Sequence, residues 1–132
     1  MPYTVLIVDD NRIMRTMVRK AVTMSGLPVA DFGEAGDGAQ ALHELRTRWF
    51  DLVLLDINMP VMNGEEFLQA LRADAGLRDT MVVVVSTESS PPRIARLRAL
   101  GAGFVHKPFR PEELITVVDK LRATELSDGA AS

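Results

Sequence analysis

Met81-Val82-Val83-Val84-Val85-Ser86-Thr87 is a continuous apolar run that stops abruptly at two hydroxyls. A run of this length without polar alternation is the pattern of a strand covered on both faces, as in a parallel sheet. The same profile occurs upstream in Val5-Leu6-Ile7-Val8, which ends at Asp9-Asp10, and in Leu52-Val53-Leu54-Leu55, which ends at Asp56. Two weaker strands, second and fifth in order, are read at about Val29 to Glu34 and Gly103 to His106. Helical spacing fills the gaps. Ile13, Met14, Met17, Val18, Ala21 and Val22 share one face, with Arg12, Arg15, Arg19 and Lys20 largely off it. Ala39, Leu42, Leu45 and Trp49 repeat the pattern, as do Phe67, Leu68 and Leu71, then Ile94, Leu97 and Leu100, then Leu114, Val117, Val118 and Leu121. Met14 and Met17 read as core filling. Asn63, three residues before Glu66, is a capping-box signal, and Pro111 with Glu112 and Glu113 suits an opening helical turn. Strict alternation of strand and helix predicts an α/β fold: a five-stranded parallel sheet with helices on both faces.

A chain of 132 residues with 47% hydrophobic content supports one core. The expected organisation is one domain over residues 1–123 and a short flexible tail over 124–132. The net charge of −3 is small and the basic residues are dispersed, which excludes a nucleic-acid footprint. There is no cysteine, no membrane-length apolar run and no signal-like N-terminus, so a soluble cytoplasmic protein is expected, with no membrane insertion. His43 and His106 make no metal-ligand spacing. Any metal should therefore be a hard, oxygen-bound ion.

In a parallel sheet all strands end on one edge, where ligands of open α/β sheets bind. Here that edge collects Asp9-Asp10, Asp56, Ser86-Thr87 and His106-Lys107-Pro108. Each signal alone is ordinary: paired acids and hydroxyls commonly cap helices or make turns, and a Lys before Pro is usually a solvated loop residue. Their coincidence at the ends of four strands is not. Carboxylates ~4 Å apart repel by ~4 kcal/mol per pair at an effective dielectric of 20, so three together call for a proton or a cation. Magnesium fits an all-oxygen donor set. A carboxylate beside it can attack phosphorus to form an aspartyl phosphate, with Ser86 or Thr87 and Lys107 holding the transferred oxygens.

Val8-Asp9-Asp10, Leu55-Asp56-Ile57-Asn58-Met59-Pro60 with Asn63-Gly64, Val85-Ser86-Thr87-Glu88, Gly101-Ala102 and Lys107-Pro108-Phe109 together resemble the receiver domain of two-component response regulators. The resemblance covers about Tyr3 to Ala123, and the layout is similar to that of single-domain chemotaxis (CheY-like) regulators. It implies a flavodoxin-like sheet of order 2-1-3-4-5. It further implies that Asp56 is the phosphoacceptor and that its donor is a phosphohistidine on a sensor histidine kinase or a histidine phosphotransfer protein. Asp10 and Asp56 would bind Mg2+ through side chains, Asn58 through its main-chain carbonyl and Asp9 through water. Lys107 would pair with the phosphoryl group. The alignment makes Ser86 the switching hydroxyl and Phe104 the aromatic that turns inward with it. Asn58 and Glu88 stand where the family tunes phosphate loss, and the Lys107-Pro108 bond is cis in the family. The downstream target would bind the surface of helix 4, strand 5 and helix 5, in chemotaxis or motility control.

Other features have plainer readings. Gly33-Glu34-Ala35-Gly36-Asp37-Gly38 lacks the spacing and Lys of a phosphate loop and reads as an ordinary loop. His106 serves the fifth strand. Arg93, Arg96 and Arg98 read as a solvated face, or else as the border of the output surface. An alternative function is a Mg2+-dependent phosphohydrolase with an aspartyl-phosphate intermediate, but Asn58 stands where such enzymes carry a second Asp. A flavin carrier would need a hydroxyl-rich loop where this chain is acidic. A signalling switch, not a multiple-turnover enzyme, is the expected role.

Overall fold

The computed structural model describes residues 2–57, 63–77, 79–87, 90–107 and 109–131, with 124–131 by backbone alone. Five strands, β1 (Tyr3–Val8), β2 (Val29–Ala35), β3 (Leu52–Leu55), β4 (Met81–Ser86) and β5 (Gly103–His106), alternate with five helices. These are α1 (Arg12–Ser25), α2 (Gly38–Thr47), α3 (Gly64–Ala73), α4 (Pro91–Ala99) and α5 (Pro111–Ala131). The strands form one parallel sheet of order β2-β1-β3-β4-β5, as expected. The last helix runs past residue 123, where the sequence reading begins a tail.

Alternation explains the two cores. Leu6, Val8, Val53, Leu55, Val82 and Val84 point to one face, where Leu42, Leu45, Phe67, Leu68, Leu71 and Leu97 of α2, α3 and α4 cover them. Val5, Ile7, Leu52, Leu54, Val83, Val85 and Val105 point to the other, under Val18 and Val22 of α1 and Leu114 and Val118 of α5. Because both faces are buried over Val5–Val8, Leu52–Leu55 and Val82–Val85, those stretches leave no position for a polar side chain and read as uniformly apolar.

The helix ends carry local signals. Asn11 caps α1 by accepting from the Ile13 and Met14 amides, Asp37 caps α2 by accepting from the Gln40 amide, and Asn63 with Glu66 forms the predicted capping box on α3. The Gly33–Gly38 stretch is therefore the end of β2 followed by a cap, not a loop throughout. Gly64 is forced by close approach, since a Cβ there would lie 2.5 Å from the Ile57 Cα. Gly101 has φ +82 and turns the chain from α4 into β5. Arg72 of α3 fastens that turn, donating from Nε to the Leu100 carbonyl (2.8 Å) and from Nη1 to the Thr80 carbonyl (2.6 Å). Burial pulls its guanidinium pKa down, against the favourable charge of Asp79.

Three expectations are corrected. Trp49 is 74% exposed: α2 ends at Thr47, so Trp49 has left the helical face, and its indole Nε1 donates to Asp51 Oδ1 at 2.9 Å. Met17 is 58% exposed and Ile13 is 71% exposed, because only the Val18–Val22 side of α1 touches the sheet. Arg93 and Arg96 are not a purely solvated face; Arg93 Nε lies 3.0 Å and Arg96 Nη2 3.4 Å from Glu65 Oε1, tying α4 to the first turn of α3. Among the described residues no helix is long and apolar enough to cross a membrane.

Candidate functional site

The hydrogen-bond ladder of the sheet continues one rung beyond the strands. The Asp9 amide donates to the Ala35 carbonyl (3.1 Å), the Asp56 amide to the Val8 carbonyl (2.9 Å) and the Lys107 amide to the Ser86 carbonyl (2.8 Å). Each of these residues follows one whose side chain lies on the α2–α4 face, so alternation sends all three to the same side, above α1 and α5. This is why residues from β1, β3 and β5 meet.

They do meet. One carboxylate oxygen each of Asp9, Asp10 and Asp56 lies within 4.8 Å of the others. Asp9 is buried, Asp56 half-buried and Asp10 exposed, so the cluster is a hollow open on one side. Lys107 Nζ stands 3.5 Å from Asp9 Oδ2 and is largely shielded from solvent. Lys107 brings one positive charge beside a cluster of three carboxylates.

The donor set tests a dication directly. Oxygen ligands of magnesium sit at about 2.0–2.1 Å, which puts opposite ligands about 4.2 Å apart; calcium, at about 2.3–2.6 Å, spreads them to about 5 Å. A span of 4.8 Å therefore accepts a hard dication with slight closure or with one carboxylate relayed through water. Asp9, Asp10 and Asp56 are the residues that could hold it, and among the described residues no nitrogen or sulfur ligand belongs to the cluster.

The remaining predicted residues take distinct places. Ser86 is 1% exposed at the end of β4, paired in register with His106, while Thr87 is exposed and shares with Lys107, Phe109, Met14, Met17, Val18 and Ala21 a hollow of about 370 Å³. Phe104 sits beside Val84, partly buried against the α2–α4 core, with its ring centroid 6.4 Å from that of His106. Asn58, Glu88 and Pro108 lie outside the described residues.

Two residues of the site escaped sequence reasoning. The Asn11 amide donates to Asp9 Oδ1 at 2.9 Å, and Arg15 Nη1 donates to the Asp9 main-chain carbonyl at 2.7 Å. Asn11 was findable as a cap immediately before an apolar helical pattern. Arg15 carried no signal, since a cation off the apolar face of a helix reads as solvated.

With fold and hollow in view, the relatives are informative. The chain belongs to the response regulator receiver domain family, whose family model matches residues 5–119. It is a CheY-like receiver of the two-component kind, a class of signalling switches rather than metabolic enzymes. It is 35% identical over 118 residues to the chemotaxis protein CheY of Pseudomonas aeruginosa, covering 89% of this chain and 94% of that one. It is 32% identical over 125 residues to the nitrate/nitrite response regulator protein NarL of Escherichia coli K12, covering 95% of this chain and 57% of that protein. The chain thus spans little more than half of NarL. Among solved structures, Vibrio cholerae CheY4 matches with a TM-score of 0.78 at 34% identity, covering 92% of this chain and 99% of that one. A putative response regulator from Chloroflexus aurantiacus matches in fold, with a TM-score of 0.81 at 22% identity, covering 93% of this chain and 99% of that one.

Proposed function

We propose that residues 1–123 act as a phosphorylation switch in which Asp56 receives a phosphoryl group from a phosphohistidine of a sensor histidine kinase or histidine phosphotransfer protein. The observation that carries this reading is the shared hollow of Asp9, Asp10 and Asp56 with Lys107 beside it. A carboxylate oxygen of Asp56 forms the new bond to phosphorus as the phosphorus–nitrogen bond breaks, and the imidazole leaves with the electron pair of that bond and keeps its ring proton. Mg2+, held by Asp9, Asp10 and Asp56, would supply neutralisation of the phosphoryl oxygens. Lys107, free to turn from Asp9, pairs with one of those oxygens, and Ser86 accepts a second role as the hydroxyl that moves towards them.

Phe104 then follows Ser86 by repacking against the α2–α4 core, and the α4–β5–α5 surface changes its fit to a downstream protein. The Glu65 contacts to Arg93 and Arg96 support this route, since they join the helix that follows the phosphoacceptor strand to α4. A chemotaxis or motility output is the reading suggested by the 35% identity to the chemotaxis protein CheY of Pseudomonas aeruginosa.

The test is incubation with acetyl phosphate and MgCl2. Wild type is expected to gain a hydroxylamine-sensitive phosphate, and Asp56→Asn to gain none. Absence of label in wild type under conditions that label an authentic receiver would end the proposal. Repeated turnover on simple phosphate esters would redirect it to hydrolysis.

A further inference from the structure

Every polar atom of Asp9 has a protein partner. Its amide donates to Ala35, its Oδ1 accepts from the Asn11 amide, its Oδ2 faces Lys107, and its carbonyl accepts from Arg15. The first two belong to the backbone of the strand and the turn. Arg15 is different, because it reaches back from α1 and is itself held by Glu34 of β2, Nε to Oε1, at 2.9 Å. The guanidinium is mostly buried, with 19% of its side chain exposed, so its two anchors leave it little freedom. Arg19 adds a looser contact to Glu34, 3.8 Å from Nη1 to Oε2.

We infer that Arg15 is a positioning residue for the carboxylate hollow: by pinning the Asp9 carbonyl to Glu34 on the edge strand, it sets where Asp9 and Asp10 stand relative to Asp56. The turn between β1 and α1 carries two of the three acids, and its main chain could otherwise pivot about the Asp9–Asp10 bond. Glu34 has a second task. It neutralises a cation that would otherwise repel the ion the hollow is shaped to hold. The inference rests on the dication reading of the site, and it concerns affinity for the ion, not the transfer step.

A second arginine provides the control. Arg48 makes the same kind of bridge to the same edge strand, with Nη1 2.8 Å from Asp31 Oδ2 and Nη2 3.3 Å from the Phe32 carbonyl, but away from the acids. Loss of either should cost some stability; only loss of Arg15 should alter the hollow.

The experiment is calorimetric titration of the full, unphosphorylated chain with MgCl2 at fixed ionic strength, with thermal melts confirming that each variant is folded. Arg15→Ala is expected to raise the dissociation constant by about tenfold, the lower end for outer partners of metal ligands. Arg15→Lys, which keeps the charge but offers one donor nitrogen where Arg15 uses two, should recover part of this. Arg48→Ala should stay within about twofold of wild type. The sign is diagnostic, because charge alone predicts the reverse: deleting a nearby cation should tighten dication binding. Unchanged or tighter binding in Arg15→Ala, or an equal loss in Arg48→Ala, overturns the inference while leaving the metal reading intact. If Arg15→Ala fails to fold, Arg15→Gln, which retains amide donors, is read by the same criteria. A wild type that binds no Mg2+ overturns the metal reading and this inference with it.

Discussion

Acidic residues stand at both edges of the sheet, and they are used in opposite ways. At the N-terminal edge Asp51 is consumed by the fold: Oδ2 accepts the Thr4 amide at 2.9 Å and Oδ1 accepts the Trp49 indole N–H at 2.9 Å. At the C-terminal edge Asp9, Asp10 and Asp56 converge within 4.8 Å of one another. Hollows of about 370 Å³ open at both edges, one lined by Tyr3, Trp49, Phe50, Asp51, Met81 and Arg122, the other by Met14, Met17 and Lys107 among others. Shape therefore does not choose the site. What distinguishes the edges is convergence: Asp51 is held by two N–H donors at the first, whereas three carboxylates crowd together at the second.

The comparison predicts a division of labour, and its largest effect is qualitative. Asp56→Asn should lose all phosphoryl uptake and stay folded, whereas Asp51→Ala should keep uptake and lose about 1–2 kcal/mol in urea unfolding, because it strands the Thr4 amide at the start of β1. Loss of uptake in Asp51→Ala at full folding would erase the distinction. A smaller effect sharpens it. In EDTA the acids of the C-terminal edge repel, so Asp10→Asn should melt about 2–5 °C above wild type. Magnesium at ten times its dissociation constant should add about 1.4 kcal/mol to wild type and far less to the variant, so the order of melting temperatures narrows or reverses. An unchanged order with an unchanged gap in the two media would mean that the three carboxylates neither strain the hollow nor share an ion.

Sequence and structure agree wherever one physical requirement dominates. Val5–Val8, Leu52–Leu55 and Met81–Val85 had to be apolar on both faces, so their identity as central strands was legible, and parallel strands then placed Asp9, Asp10, Asp56 and Lys107 on one edge. Helical spacing was less informative, because it gives the direction of a face but not its width. Ile13 and Met17 fit the apolar stripe of α1 yet lie outside the part that touches the sheet, and Trp49 fits the stripe of α2 two residues after the helix has ended. Charged residues were the least legible. Arg15, Arg72 and Arg93 are identical in composition to solvated arginines, and only tertiary placement shows that they bind the Asp9, Leu100 and Thr80 carbonyls and the Glu65 carboxylate.

The smallest effect separates the two ends of the edge strand. Asp31 is exposed on β2, and its hydrogen bond from Arg48, followed by that from the Phe32 amide, holds its carboxyl below the ordinary value of 3.8. A depressed folded-state pKa means that the ionised form is favoured by folding. The contribution is fully present above the unfolded pKa and disappears as pH falls through the lower folded value. Asp31→Asn keeps an oxygen for Arg48 but cannot titrate, so its stability should fall less steeply than that of wild type below about pH 4 and run parallel to it near neutrality. The difference should shrink further in high salt, since the pair faces solvent. Urea unfolding at pH 3 and pH 7, at low and high NaCl, checks this. A wild type and variant that lose stability in parallel across the acid range would mean that Arg48 fails to hold Asp31 in solution, and Arg48 would then no longer serve as the structural counterpart of Arg15.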